Sequence, residues 1–136
     1  MGKPPVEATL TWRRDLTFDA TAGPHTVRLD SDNHAGISPM YALAVALAGC
    51  MAVDVVMILQ KGRHELTGLD VRIRGVRADG PPSYFTDVAL HYDLVGEVPS
   101  AAVERAIALS RDKYCSVLHT LRPDLRLDIT HAITPA

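Results

Sequence analysis

Residues 40–59 read MYALAVALAGCMAVDVVMIL, a run in which Asp54 is the one charged side chain. Ser38 followed by Pro39 supplies an N-cap and a proline at the first helical position. Gln60, Lys61, Gly62 and Arg63 place cations and a glycine where a helix C-terminus favours them. The segment therefore predicts one long helix that is apolar nearly all round. Its length suits a bilayer, but it is rich in Ala rather than Leu. Asp54 would also be costly in lipid, and no second span accompanies it. A helix of this kind is instead expected in a protein core. A chain of 136 residues has little else with which to cover it on every side. The helix thus implies a partner subunit.

The remaining chain is mostly strand-like. Ala8–Trp12, Leu16–Ala20 and Thr26–Leu29 are β-prone and are separated by turn signals such as Gly23-Pro24. Residues 1–5 read as a flexible tail, and residues 30–37 as a polar loop. After the helix, Leu69, Val71 and Ile73 alternate with polar residues, and Gly75 breaks the phase before Val76, as at a bulge or bend. Val88, Leu90, Tyr92 and Leu94 alternate again, predicting a hairpin with the preceding strand across ADGPPS, residues 78–83. Pro99 and Ser100 open a helix with Val103, Ala106, Ile107 and Ser110 on one face. Cys115 to Leu121 reads as a further short helix, stopped at Arg122-Pro123. Leu125, Leu127 and Ile129 form a last strand. The order is β-β-β-α-β-β-α-α-β in one domain, residues 1–136, an α+β chain rather than a parallel α/β one.

Composition excludes several functions. The net charge of -2 and the lack of any Lys/Arg block give no electrostatic footprint for nucleic acid or an anionic membrane. Alternation puts Arg72 and Arg74 on the solvent face of a strand. The N-terminus lacks the apolar stretch of a secretory signal, and two cysteines are too few for a disulfide scaffold. A cytoplasmic, reducing setting is expected. There the cysteines are either reactive or small buried hydrophobes. Cys50, mid-helix in apolar surroundings, is inert unless a cation stands near it. Six scattered histidines and no CxxC or HExxH spacing give no metal motif, and no cofactor is expected.

Two stretches resemble the OsmC/Ohr family. One is Ser38-Pro39-Met40 with the alanine-rich helix through Gly49-Cys50 to Lys61. The other is Asp112-Lys113-Tyr114-Cys115-Ser116-Val117 following the helix at 101–110. The resemblance runs in register from about residue 7 to residue 131. It implies an OsmC-like fold, an interlocked homodimer with long central helices wrapped by antiparallel sheets. It also implies a chemistry in which Cys50 attacks an organic hydroperoxide and becomes a sulfenic acid. Cys115 then resolves it to a disulfide, and a dithiol reductant resets the pair. Arg14, with Arg13 second, matches the region of the activating arginine. Met40, Tyr41, Val53, Asp54 and Met57 would line an apolar pocket for the hydroperoxide.

The chain departs from that pattern at one point. The peroxidase branch carries a glutamate just after the helix-opening proline, where Met40 and Tyr41 stand here. Tyr41 can hydrogen-bond but cannot form a bidentate pair with an arginine. Asp54, one turn beyond Cys50 on the same face, would raise the pKa of an unpaired thiol. As a buried acid it calls for a structural partner. A non-enzymatic protein of the same fold, binding a small apolar ligand or sensing redox state, is therefore the alternative. A purely structural role for both cysteines is the third reading.

Overall fold

The computed structural model describes residues 2–136; Met1, the first residue of the expected tail, lies outside them. Residues 2–7 carry no regular structure and are exposed. The chain divides into two compact units, Met1–Leu43 and Ala44–Ala136.

The first unit is an antiparallel meander of β1 (Ala8–Arg14), β2 (Thr17–Ala22) and β3 (His25–Asp30). Trp12 pairs with Phe18 in register, and the ladder shifts between Trp12 and Arg14. Asp15 takes a positive φ of 49° at the turn, where its carbonyl accepts from Trp12 Nε1 at 2.9 Å. Asp19 on β2 accepts from Arg13 and Arg28, both at 2.8 Å. Arg28 first, then Arg13, hold its carboxyl down at about 2. The 30–37 loop is organised by Asp30, which accepts the backbone N–H groups of Asp32 and Ala35. Ser38 caps the following helix as expected, its Oγ accepting from the Tyr41 N–H at 3.3 Å.

The second unit holds the core. The helix α1 (Pro39–Lys61, 23 residues) carries three parallel rows at i+4 spacing. Leu47, Met51, Val55 and Leu59 are fully buried. Cys50, Asp54 and Ile58, one residue back on the helix, are half-buried. Tyr41, Val45, Val53 and Met57 form a third row, exposed at 57–61%, with Gly49 at its centre. By length and apolarity α1 could cross a membrane. Its buried row instead joins a cluster with Val88, Leu90, Tyr92 and Leu94 and with Val103, Ala106 and Ile107, which is how a core helix is used.

The sheet order is β4-β5-β6, with β4 (Glu65–Arg77) and β5 (Phe85–Glu97) forming the expected antiparallel hairpin. The alternation of β5 puts Val88, Leu90, Tyr92 and Leu94 inward. Gly96, at φ 145°, sits opposite the bulge at Leu66/Gly68, where a Cβ would collide with the Glu65 carbonyl oxygen. The irregularity expected at Gly75 falls slightly later, between Val76 and Arg77. Gly75 itself stays in register with Val88 and leaves room for the Phe85 ring, which a Cβ would meet at 2.5 Å.

Two expectations are corrected. The sheet is not antiparallel throughout: β6 (Arg126–Thr134) pairs parallel to β5. A parallel neighbour needs a crossover, and α2 (Ser100–Leu109) with α3 (Ser116–Thr120) provides it. The short helix expected from Cys115 to Leu121 is present but begins at Ser116. A π-helical turn, Ser110–Tyr114, follows α2 directly and is closed by the Cys115 N–H donating to the Ser110 carbonyl at 2.8 Å. Cys115 is then the N-cap of α3.

Leu90 is fully buried at the centre of this core. Leu90→Ala should lower the unfolding free energy by about 2–5 kcal/mol in urea titration. The same change at Leu10, over half exposed on β1, should cost far less.

Candidate functional site

The fold of the second unit brings Cys50, Asp54 and Cys115 together. The two sulfurs and a carboxylate oxygen all lie within 4.8 Å of one another, and both cysteines are free thiols. Cys50 and Asp54 are placed by one turn of α1, at i and i+4. Cys115 comes from the other end of the chain and is fixed by the π turn. Its Sγ accepts from the Leu118 N–H at 3.3 Å. Its carbonyl accepts from the His119 N–H at 3.1 Å and lies 2.8 Å from His119 Nδ1. A carbonyl only accepts, so that contact as a hydrogen bond requires the proton on Nδ1.

Burial distinguishes the two cysteines. Cys50 is half-buried, while Cys115 is fully buried. Desolvation pushes the Cys115 thiol up to about 11, with Cys50 and Asp54 adding to the rise against the Leu118 N–H, which favours the thiolate. Cys115 therefore keeps its proton at neutral pH, and Cys50 is the thiol that an outside reagent reaches first.

Asp54 has the structural partner expected of it: the Ser110 hydroxyl donates to its Oδ2 at 2.8 Å, across 56 positions of sequence. Ser110 is fully buried. Tyr92 completes the surroundings. Its side chain is fully buried and its hydroxyl has no hydrogen-bond partner among the described residues. Burial first, then the charges of Cys115 and Asp54, push its ionisation strongly upward, so the hydroxyl stays a donor. Sequence reasoning placed Ser110 and Tyr92 only on apolar faces. Each is a polar tip at a position whose neighbours are all apolar, and that is the signal that marks them.

The other expected site residues are dispersed. Met57 and Asp54 line an open cleft of about 520 Å³ with Ile58, Lys61, Arg105, Leu109 and Tyr114. Val53 lies one turn before Met57 on the exposed row. Met40 and Tyr41 stand in the first turn of α1, within the first unit, where Tyr41 is exposed. Arg14 is exposed at the end of β1 and, among the described residues, forms no ion pair, whereas Arg13 is held by Asp19.

Comparison with known proteins follows this geometry. A family model described as "OsmC-like protein" matches residues 31–130. Protein YhfA of Escherichia coli K12 is 37% identical over 130 residues, covering 93% of this chain and 96% of the relative. A hypothetical protein from Aquifex aeolicus, known by crystal structure, superposes with a TM-score of 0.92 at 29% identity, covering 98% of this chain and 99% of that one. A Legionella pneumophila organic hydroperoxide resistance protein, OsmC, superposes at 0.73 with 15% identity over 97% and 99% of the two chains, which is a likeness of fold. A family model that takes in both the helix of Cys50 and the turn of Cys115, with a relative matched along nearly its full length, makes this chain a member of the OsmC-like protein family.

Proposed function

We propose that the protein is a thiol-dependent reductase of organic hydroperoxides, acting through Cys50 and Cys115 in oxidative-stress defence. The observation that carries this reading is the approach of two free thiols from distant parts of the chain to within 4.8 Å. A disulfide needs about 2.05 Å, so the reading requires the two sulfurs to approach further during the reaction.

The cycle balances in three steps. The Cys50 thiolate attacks the outer peroxide oxygen, the O–O bond breaks, and the alcohol leaves with a proton while Cys50 becomes a sulfenic acid. The Cys115 sulfur attacks the Cys50 sulfur, forming the disulfide and releasing water. A dithiol reductant then exchanges with the disulfide, returning both thiols and leaving oxidised itself. Arg14 is assigned as the cation that favours the Cys50 thiolate. Met40, Tyr41, Val53, Asp54 and Met57 are assigned to the substrate side. The reading treats the whole chain as one domain in a reducing, cytoplasmic setting. Its assembly is a homodimer, in which the exposed row of α1 is covered by a second copy. That row is apolar over four turns, and water is a poor neighbour for it.

A second reading is a non-enzymatic protein that binds a small apolar ligand or reports redox state. Two observations favour it: no carboxylate stands at Met40 or Tyr41, and Asp54 puts a negative charge beside both sulfurs. On that reading an apolar ligand raises the melting temperature while peroxide turnover stays near background.

One equivalent of cumene hydroperoxide should consume both thiols of the reduced protein and lower the intact mass by two hydrogens. Cys50→Ser should abolish reduction of the peroxide; unchanged turnover in that variant would sink the reductase reading. Alkylation followed by peptide mass mapping should label Cys50 first at neutral pH. The rate at Cys115 should climb about tenfold per pH unit toward a limit near pH 11, since its thiolate fraction grows below its pKa. Sedimentation should show a dimer that Val53→Glu shifts toward monomer, and a monomeric wild-type chain would remove the proposed assembly.

A further inference from the structure

We infer that Cys50, Asp54 and Cys115 form a binding site for a thiophilic divalent cation of the zinc and cadmium class. The spacing of these residues along the chain contains no metal motif, and it is the fold that gathers two sulfurs and a carboxylate oxygen within 4.8 Å. Around a tetrahedral zinc with Zn–S near 2.3 Å, ligand atoms stand roughly 3.5–4 Å apart. The three atoms, within 4.8 Å of one another, therefore need to close by about 1.3 Å at most. Three protein ligands leave a fourth position for water, as in open zinc sites. Two sulfurs select zinc or cadmium over magnesium or calcium, which prefer all-oxygen shells.

The surroundings are those of a built site. Ser110 donates to Asp54 at 2.8 Å and fixes the orientation of its carboxylate, the role that outer partners play for metal ligands. The Leu118 N–H points at the Cys115 sulfur and stabilises it as a thiolate. The Tyr92 hydroxyl is fully buried and, among the described residues, unpartnered, and the charges of Cys115 and Asp54 act on it. Half-buried Cys50 gives the ion a way in. The reaction is a proton displacement with no change of oxidation state: the cation replaces the protons of two thiols, which are released to solvent. It also neutralises the repulsion that Asp54 would otherwise exert on two thiolates.

This inference is independent of the reductase reading, because no oxidant enters its test. Reduced full-length protein is titrated with cadmium chloride alone under anaerobic conditions. The thiolate-to-cadmium charge-transfer band is followed, with native mass spectrometry for stoichiometry. The expected result is one cadmium per chain. Cys50→Ser should lose about half of the band and at least about tenfold in affinity. Asp54→Asn should keep the band and weaken binding by at least about tenfold. Cys115 is buried, so Cys115→Ser is interpreted only if circular dichroism shows the native fold, and Cys50→Ser decides otherwise. No band at saturating cadmium, or affinity unchanged in Cys50→Ser, overturns the site. Unchanged affinity in Asp54→Asn overturns the three-ligand set. Cadmium binding in a protein whose thiols survive peroxide would leave this site standing and the reductase reading fallen.

Discussion

The rest of the structure depends on how one helix divides its circumference. α1 has almost no polar surface, so every side must be assigned an apolar neighbour or left exposed at a cost. The row from Leu47 to Leu59 is spent on the core with β5 and α2. The row from Tyr41 to Met57 remains uncovered in a single chain. Cys50 and Asp54 occupy the seam between the two, half-buried. That seam is where a polar group can lie against the core and still be reached from outside. Placing the thiol one residue round from the buried row makes it neither a sealed core cysteine nor a surface one.

Much of this is legible in the sequence, because the signals are local. Ser38-Pro39 and Lys61-Gly62 bracket α1, and the alternation of Val88, Leu90, Tyr92 and Leu94 marks both β5 and its inward face. The face that reads Val103, Ala106 and Ile107 on α2 and continues to Ser110 in the π turn is the buried one. What escapes is what depends on distant partners. Ser110 reads as one more residue of an apolar face until Asp54, 56 positions away, receives its hydroxyl. The π turn inserts a step that no periodicity announces, and it moves Cys115 from the first residue of the expected helix to its N-cap. The parallel pairing of β6 follows from the length and course of the α2–α3 crossover, not from the pattern of β6 itself, which alternates equally well in either direction.

The chemistry of the site turns on one electrostatic problem. Burial first, with the Asp54 carboxylate and Cys50 adding to it, favours keeping Cys115 protonated. The proposed attack on a peroxide would need the opposite, a thiolate at Cys50. On the proposed reading a positive charge is required at the site, and an arginine and a metal ion would meet that need differently. A guanidinium offers fixed charge and hydrogen bonds but leaves the sulfur free to react. A divalent cation binds the sulfur pair itself and ties up the lone pairs that a peroxide would meet. Asp54 is thus the residue that separates the two outcomes. It works against a bare thiolate, and it completes a ligand set. Its hydrogen bond from Ser110 holds the carboxylate in place for either role.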